Sequence, residues 1–434
     1  MNPLFVESFD IHEHPIKKAK KNIRKEYIAA LTYIVENTIN KLDENKADVE
    51  KYVSKRLRLY RSQLSVDDKT TKNDSKCLSS FKKPWRGKYR FLLICDVALI
   101  LVEDSLIHLA VEKIIEILSI KRKFDVERVI CLLHNENIIE KKYLFSSPLI
   151  KQYRLNKDFI SKEEKRIIVT ANMSAGKSTL INALIGKSIA RTSQEVCTGN
   201  VCYLYNKAYE DGNIHLLTKD LNLKATSEDL IGYNWDGHIS IASHFEGIMS
   251  DLPRLCIIDT PGVDAALYQD HSKYARNALL NDNYDTVIYV VSPTRLGTDA
   301  EKKHLQWVAK NLQKEKIIFV INKLDSYHDF ADSIEESINE FKNDLQKIGF
   351  ENPIICPISA YFAYLIKLKL TGQAFSDDEA DEYAFYSKKF NKPSYDLSHY
   401  YEGVQCLPTD SEEIALSKRV GLYGFEKIIY GGNL

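Results

Sequence analysis

The chain has 434 residues, of which 44% are hydrophobic and 28% charged, and its 60 basic residues equal its 60 acidic residues. These values are those of a globular protein with two or three domains, and the balanced charge gives no indication of nucleic-acid binding, so we expect no DNA binding. We also expect no signal peptide, and the longest apolar run, Phe91–Val102, contains Asp96 and is too short to span a bilayer.

Residues 1–163 are predicted to be helical, because apolar residues recur at helical spacing among many lysines and glutamates. Three segments are expected here: N-terminal helices over 1–64, a polar linker over 65–90, and a helical module over 91–163 that loosely resembles small TerB-like domains. The first 90 residues carry 21 basic and 12 acidic side chains.

The basic stretch Pro15–Val35 has two interpretations. Its lysines and arginine between Lys17 and Lys25 could lie on an anionic membrane surface. Alternatively, they form the solvated start of a bundle helix.

From residue 164 onwards, short apolar runs alternate with amphipathic helical patterns. Runs that are apolar on both faces and alternate with helices predict an α/β fold with a mostly parallel, doubly wound sheet over 164–434. An acidic, tyrosine-rich segment at about 363–420 interrupts this pattern as an insertion. The predicted strands are 166–171, 201–206, 254–260, 285–292, 316–323 and 353–360, and the predicted helices are 177–186, 298–312 and 329–348.

A phosphate-binding loop is predicted where Gly176-Lys177-Ser178 follows the first strand. Backbone N–H groups of such a loop converge on an anion, Lys177 would reach the β- and γ-phosphates, and the Ser178 hydroxyl would bind Mg²⁺. The glycine that usually opens the loop is replaced by Ala171, which is tolerable if its φ is negative. The predicted nucleotide-binding residues of the loop are Asn172, Met173, Ser174, Ala175, Gly176, Lys177, Ser178 and Thr179.

Two further motifs follow the ends of later strands. Asp259-Thr260-Pro261-Gly262 has the DxxG pattern, in which Asp259 holds a water bound to Mg²⁺ and the N–H of Gly262 can meet the γ-phosphate. Asn322-Lys323-Leu324-Asp325 has the guanine pattern. The carboxylate of Asp325 would accept from guanine N1–H and the exocyclic amine, while Lys323 lies along the base.

The predicted nucleotide is therefore GTP or GDP, because adenine offers no such pair of donors. The backbone of Ser359 and Ala360 would contact guanine O6. Each motif has a purely structural alternative; Asp325, for example, could cap the helix that follows it.

Taken together, MSAGKSTLINALIG, CTG, DTPGVD, VSPT and NKLD resemble the GTPase domain of bacterial dynamin-like proteins. The resemblance covers about residues 165–429 and implies GTP hydrolysis with Mg²⁺. It implies that Thr198 is the switch I threonine that closes over Mg²⁺ and orients the attacking water, and that Ser174 helps to hold a monovalent cation, K⁺ or Na⁺. Alternatively, Thr198 is a plain strand-edge threonine and Ser174 stiffens the loop. The implied catalytic residues are Ser174, Lys177, Thr198 and Gly262, and the implied Mg²⁺ ligands are Ser178, Thr198 and Asp259.

Two departures from the family pattern matter. Met173 stands where the family often has Gln or Arg, and a thioether cannot stabilise a developing oxyanion, so hydrolysis is expected to be slow or to need a partner. No long helical stalk follows the GTPase domain in this sequence, so residues 1–163 or another protein would have to supply it.

The resemblance implies a homodimer through GTPase domains, or a pair with another dynamin-like chain, and membrane remodelling by a cytoplasmic or peripheral membrane protein. The alternative is a regulatory GTPase switch that acts on a protein or RNA partner without remodelling a membrane.

Two smaller expectations concern other residue types. Cys95, Cys131, Cys256 and Cys356 lie in apolar runs and are predicted to be buried reduced thiols. The carboxylates within Phe375–Phe390 have no accompanying His or Cys, so the start of a helix fits them better than a metal site.

Overall fold

A computed structural model describes most of the chain and divides it into two compact units. One unit comprises Met1–Lys162 with Lys207–Lys224, and the other comprises Glu163–Asn206 with Ala225–Leu434. The structure describes residues 3–10, 14–41, 46–64, 76–118, 123–135, 139–172, 174–190, 201–226, 229–230, 239–248, 252–262, 269–327 and 333–431.

The first unit is mainly helical. Short 3₁₀ turns at Pro15–Lys18, Ser80–Lys82, Pro84–Arg86 and Lys141–Ser146 connect its helices, and two short strands lie largely within its segment 207–224. None of the described helices of the chain is both long enough and apolar enough to cross a bilayer. The helices are α1 Pro3–Val6, α2 Lys21–Ile39, α3 Lys46–Gln63, α4 Lys76–Ser79, α5 Gly87–Leu101, α6 Asp104–Leu118, α7 Lys123–Asn135 and α8 Ser147–Ser161.

The central helix α5 contains the long apolar run, and every residue from Arg90 to Leu101 is buried. Its one carboxylate, Asp96, accepts hydrogen bonds from the hydroxyls of Tyr27 and Tyr60, the latter at 2.5 Å, and contacts Nε2 of His14 at 3.0 Å. Buried carboxylates require such donors. The apolar run therefore forms part of the core of a helical unit. Its acidic residue is tolerated there because these donors satisfy the buried carboxylate.

The described part of the predicted linker, residues 76–90, is helical instead. Phe81 is fully buried, and the guanidinium of Arg90 donates to its carbonyl oxygen at 2.7 Å. The polar composition of this segment predicted a linker. Burial of the Phe81 side chain and the hydrogen bond from Arg90 instead hold the segment against the helical unit.

The thiol prediction is correct at three of its four positions. Cys95, Cys256 and Cys356 are free and buried, and burial raises the pKa of Cys256 to about 12. Cys131 is exposed, however, because it lies on the outward face of α7.

The second unit is built on a mostly parallel sheet, as predicted. Within this unit the strand order is β5-β2-β6-β1-β7-β8-β9. Strand β2 runs antiparallel to β6, and the other neighbouring strands in this order pair in parallel. The strands of the chain are β1 Glu164–Ala171, β2 Cys202–Asn206, β3 Ile214–Leu217, β4 Leu221–Ala225, β5 Ile239–Ser243, β6 Arg254–Asp259, β7 Thr286–Val291, β8 Ile317–Ile321 and β9 Ile354–Pro357.

The helices of this unit alternate with its strands and then continue beyond them. Because β6, β1, β7, β8 and β9 are parallel, their carboxyl ends meet at one edge of the sheet, where ligands bind in folds of this kind. The helices are α9 Lys177–Ile185, α10 Gln269–Asn281, α11 Asp299–Asn311, α12 Ile334–Ile348, α13 Ala360–Leu370, α14 Asp377–Phe390, α15 Glu412–Arg419 and α16 Leu422–Tyr430.

Candidate nucleotide-binding site

The loop between β1 and α9 turns through two residues in the left-handed region, Ser174 with φ +63° and Gly176 with φ +85°. Ala171 is the last residue of β1 and is extended, so the condition for replacing the usual glycine is met. At Gly176, a Cβ would collide with the side-chain amide of Asn322. Glycine is therefore required there by both the backbone angle and the close approach of Asn322.

Asn322 connects the phosphate loop to the loop after β9. Its side-chain Nδ2 donates to the carbonyl oxygen of Ala175 at 3.0 Å and to that of Gly176 at 3.4 Å. Its Oδ1 accepts from the backbone N–H of Ala360 at 2.9 Å. The side chain is 2% exposed, so its hydrogen bonds are shielded from water.

Lys177 and Asp259 are brought together at the same edge. Asp259 ends β6 and pairs in register with Val169 of β1, and its carboxylate contacts the ammonium group of Lys177. The next residue, Thr260, donates from its hydroxyl to the carbonyl oxygen of Val169 at 2.8 Å. The DxxG segment is thereby fastened beside the phosphate loop, with Gly262 half-buried at its end.

The donor set near Lys177 suits a hard divalent cation. Ser178 and Thr179 lie half-buried in the first turn of α9, and a hydroxyl and a carboxylate are ligands that Mg²⁺ accepts. Ser178 and Asp259 therefore fit the metal that a nucleotide would bring. The predicted residues Met173 and Thr198 lie outside the described part of the chain.

The guanine motif follows β8 in a short 3₁₀ turn. Lys323 has φ +65°, and its Cε lies 3.6 Å from the position a Cβ on Gly176 would take, so its side chain runs beside the phosphate loop. Asp325 accepts a hydrogen bond from the hydroxyl of Ser359 at 2.5 Å. The following helix, α12, is capped by Ser333, so Asp325 does not act as its cap.

Two residues that the motifs did not reveal hold the guanine loop by its backbone. The ammonium group of Lys389, on α14, donates to the carbonyl oxygens of Asp325 at 2.7 Å and Tyr327 at 2.6 Å. The hydroxyl of Tyr395 donates to the same Tyr327 oxygen at 2.8 Å. The acidic, tyrosine-rich segment thus supports the turn that carries Asp325.

The acidic residues of that segment begin a helix, as expected. Ser376 and Glu379 form a reciprocal capping box at the N-terminus of α14, and Asp377 and Asp378 lie in its first turn. Carboxylates there are stabilised by the unpaired N–H groups and the positive end of the helix dipole.

A buried polar network contacts the start of the phosphate loop at Asn172. Glu301, 1% exposed, accepts from Nδ2 of Asn172 at 2.7 Å and from the hydroxyl of Tyr289 at 2.6 Å. The Tyr289 hydroxyl also contacts Nδ1 of His304 at 2.8 Å. Burial, and secondarily the charge of Arg276, lowers the pKa of His304 to about 4. Glu301 was not predicted, because in sequence it is one of several charged residues at the start of an amphipathic helix.

Comparisons with known proteins bear on the same region. The model of the dynamin family matches residues 167–324. A probable transmembrane GTPase, FZO-like, chloroplastic, from Arabidopsis thaliana is 28% identical over 240 residues, which are 54% of this chain and 23% of that protein. Dynamin-like protein A of Bacillus subtilis is 24% identical over 192 residues, which are 43% of this chain and 15% of that protein.

A solved structure of an oligomerised bacterial dynamin pair matches with 17% identity and a TM-score of 0.38, covering 86% of this chain and 58% of that chain. This score is too low to support any inference. The matched regions span 55% or less of the length of the curated relatives. The family match begins in β1 and ends in the guanine motif, and it includes the phosphate loop and the DxxG segment, which lie at one edge of the sheet. The part of the chain that is similar to the dynamin family is therefore the part that carries these motifs.

Proposed function

We propose that this chain binds guanine nucleotides and hydrolyses GTP to GDP and phosphate with Mg²⁺. The observation that carries the proposal is the contact of Asn322 with both Ala175 and Ala360, because it joins the phosphate loop to the loops of the guanine motif. One nucleotide could then contact the phosphate loop with one end and Asp325 with the other.

The phosphate end of the site is electropositive. The N–H groups of the loop and the N-terminus of α9 provide partial positive charge, and Lys177 adds a full charge. Ser178 and Asp259 would hold Mg²⁺, which neutralises charge on the phosphates. Asp259, whose carboxylate contacts Lys177 in the structure, would then also face the metal. The N–H of Gly262 would be available to the γ-phosphate.

The base end accounts for selectivity. A carboxylate at Asp325 accepts two donors that guanine has and adenine lacks. Lys323 would lie along the base, and the backbone of Ser359 and Ala360 would meet guanine O6. The hydrogen bond from the hydroxyl of Ser359 to Asp325 supports this arrangement, because it fixes the orientation of the carboxylate.

Hydrolysis itself rests on residues proposed from the family pattern. Thr198 would orient the attacking water, and Ser174 would help to hold a monovalent cation in place of an arginine finger. Met173 supplies no such stabilisation, so we propose that the rate depends on pairing of two GTPase domains.

Turnover as a function of protein concentration tests this pairing. We expect the rate per molecule to rise with concentration as dimers form. A constant specific rate over about a hundredfold range of protein concentration would count against the dimer mechanism.

A second candidate is a regulatory switch that acts on a protein or RNA partner. Met173 favours it, because slow hydrolysis prolongs the GTP-bound state. Membrane remodelling is the output that the dynamin family suggests, and GTP turnover measured with and without anionic vesicles separates the two. Turnover stimulated by vesicles supports the membrane output, and turnover that vesicles leave unchanged supports the switch.

A further inference from the structure

An exposed surface of the helical unit combines aromatic, aliphatic and basic side chains. It is formed by segments 82–89 and 141–145, and we call it the basic–aromatic surface. Trp85 is 71% exposed and Leu144 is 54% exposed. Single exposed apolar side chains are ordinary, but several within one surface are typical of an interaction site.

The two segments form one surface because their aromatic rings meet. The rings of Tyr89 and Phe145 contact edge to face with centroids 5.8 Å apart, and the ammonium group of Lys88 lies 4.9 Å from the Phe145 centroid. Phe81, which precedes the first segment, and Tyr143, in the second, are at most 1% exposed. A buried ring therefore anchors each segment within the helical unit.

The charge of this surface is of one sign. The two segments contain no acidic residue, although the whole chain has a net charge of zero. Two acidic residues that adjoin the segments are engaged with arginines: Glu26 contacts Arg86 at 3.2 Å, and Glu140, which precedes Lys141, contacts Arg128 at 2.5 Å. The basic residues of the two segments are Lys82, Lys83, Arg86, Lys88, Lys141 and Lys142, all exposed except for the half-buried Arg86.

The contact between Arg86 and Glu26 also joins this surface to the start of α2. Lys20 and Lys21 are exposed there, while Arg24 donates to the carbonyl oxygen of Leu64 at 2.8 Å. The basic stretch noted in the sequence is thus only partly available, and segments 82–89 and 141–145 extend the positive surface well beyond it.

We infer that the basic–aromatic surface binds the headgroup region of an anionic lipid bilayer. Ammonium and guanidinium groups would contact lipid phosphates, Trp85 would sit at the interface where indole rings are favoured, and Leu144 would enter the acyl boundary. A single-stranded RNA would also pair with cations and stack on aromatic rings. Leu144 has no ring to stack, so its exposure favours lipid. The inference deepens the membrane output proposed above and does not depend on GTP hydrolysis.

Flotation of the full chain with vesicles tests the surface. The probes are phosphatidylcholine vesicles with and without phosphatidylserine. We expect binding only to vesicles that contain phosphatidylserine. Each lysine near such a surface raises the affinity about fivefold, so Lys82→Glu, Lys83→Glu and Lys88→Glu together should weaken binding by about a hundredfold or more. Trp85→Ala should weaken it about tenfold, because an interfacial ring is lost.

A matched control reverses three exposed lysines elsewhere, with Lys310→Glu, Lys342→Glu and Lys347→Glu, and should change binding far less. GTP turnover without vesicles reports on the nucleotide site separately, because none of these residues lies in it. Absence of vesicle binding, or equal losses in both triple variants, would overturn the inference. So would binding of a polyuridine RNA by the wild type that the first triple variant loses while vesicle binding stays unchanged.

Discussion

The side-chain amide of Asn322 donates to the carbonyl oxygen of Ala175 at 3.0 Å, so the residue that opens the guanine motif also holds the phosphate loop. The loop contains Ser174 and Gly176 in left-handed conformations, and such conformations persist only where neighbouring contacts fix them. The proposed base-recognition motif and the proposed phosphate loop are therefore connected through one buried side chain.

Removal of this connection should weaken nucleotide binding. We expect Asn322→Ala to raise the dissociation constant for GDP by about tenfold or more, because three hydrogen bonds, two of them buried, are lost and the loop is no longer fixed. Equilibrium binding of a fluorescent GDP measures the change. Asn343→Ala, an exposed change on α12, is the matched control and should bind as the wild type does. An Asn322→Ala variant of unchanged affinity would show that the loop holds its shape without this residue.

Lys177 is expected to be indispensable for binding. Lys177→Ala removes the one full positive charge that the phosphate loop supplies, so affinity for both GTP and GDP should fall below detection. Titration calorimetry with each nucleotide measures this. Lys310→Ala, at an exposed position on α11, controls for the loss of a lysine as such. Retained affinity in Lys177→Ala would refute the assignment of this loop to phosphate binding.

Lys389 should support base recognition without touching the nucleotide. Lys389→Ala removes two hydrogen bonds to the backbone of the guanine loop, so we expect affinity for GDP to fall about tenfold. Discrimination between GDP and inosine diphosphate, which lacks the exocyclic amine, should shrink as well, because Asp325 is less well fixed. The adjacent Lys388 is exposed, and Lys388→Ala should change neither quantity. Equal effects at both positions would point to a loss of charge rather than of loop support.

The buried His304 predicts a dependence of stability on pH. Its pKa is lowered from 6.5 to about 4, so between these values the unfolded chain binds a proton that the folded chain does not. The free energy of unfolding should therefore decrease as the pH falls through this window, by about 3 kcal/mol in total.

Urea unfolding of the wild type and His304→Gln at pH 7 and pH 4.5 isolates this contribution, because other acid effects cancel in the difference. We expect the stability advantage of the wild type to shrink by about 2–3 kcal/mol at the lower pH. An advantage that is the same at both pH values would mean that His304 is protonated as readily in the folded chain as in the unfolded one.

The sequence predicted the central strands well, because runs such as Thr286–Val291 are apolar on both faces and end at recognisable motifs. It missed β3, β4 and β5, which, unlike the central strands, are not followed by a recognisable motif. Burial in β4 alternates along LNLKA, which is the pattern of a half-buried strand.

Within the site, sequence motifs revealed residues expected to contact the nucleotide but not the residues that hold them. Lys389 lies in a segment without any motif, and its role arises from two backbone carbonyl oxygens that no sequence pattern specifies. Glu301 likewise becomes important only because the fold buries it beneath Asn172. Such supporting contacts depend on tertiary packing, which local sequence does not encode.

Nucleotide selectivity of Asp325→Asn tests the central claim most directly, that a single guanine nucleotide contacts both Lys177 and Asp325. Replacing the carboxylate by an amide turns one acceptor oxygen into an NH₂ donor. Xanthine presents a carbonyl acceptor where guanine has its exocyclic amine. Competition of GTP and xanthosine triphosphate for the site should therefore favour GTP in the wild type and xanthosine triphosphate in the variant. Retention of guanine preference by Asp325→Asn would contradict the account, because the base would then be recognised elsewhere.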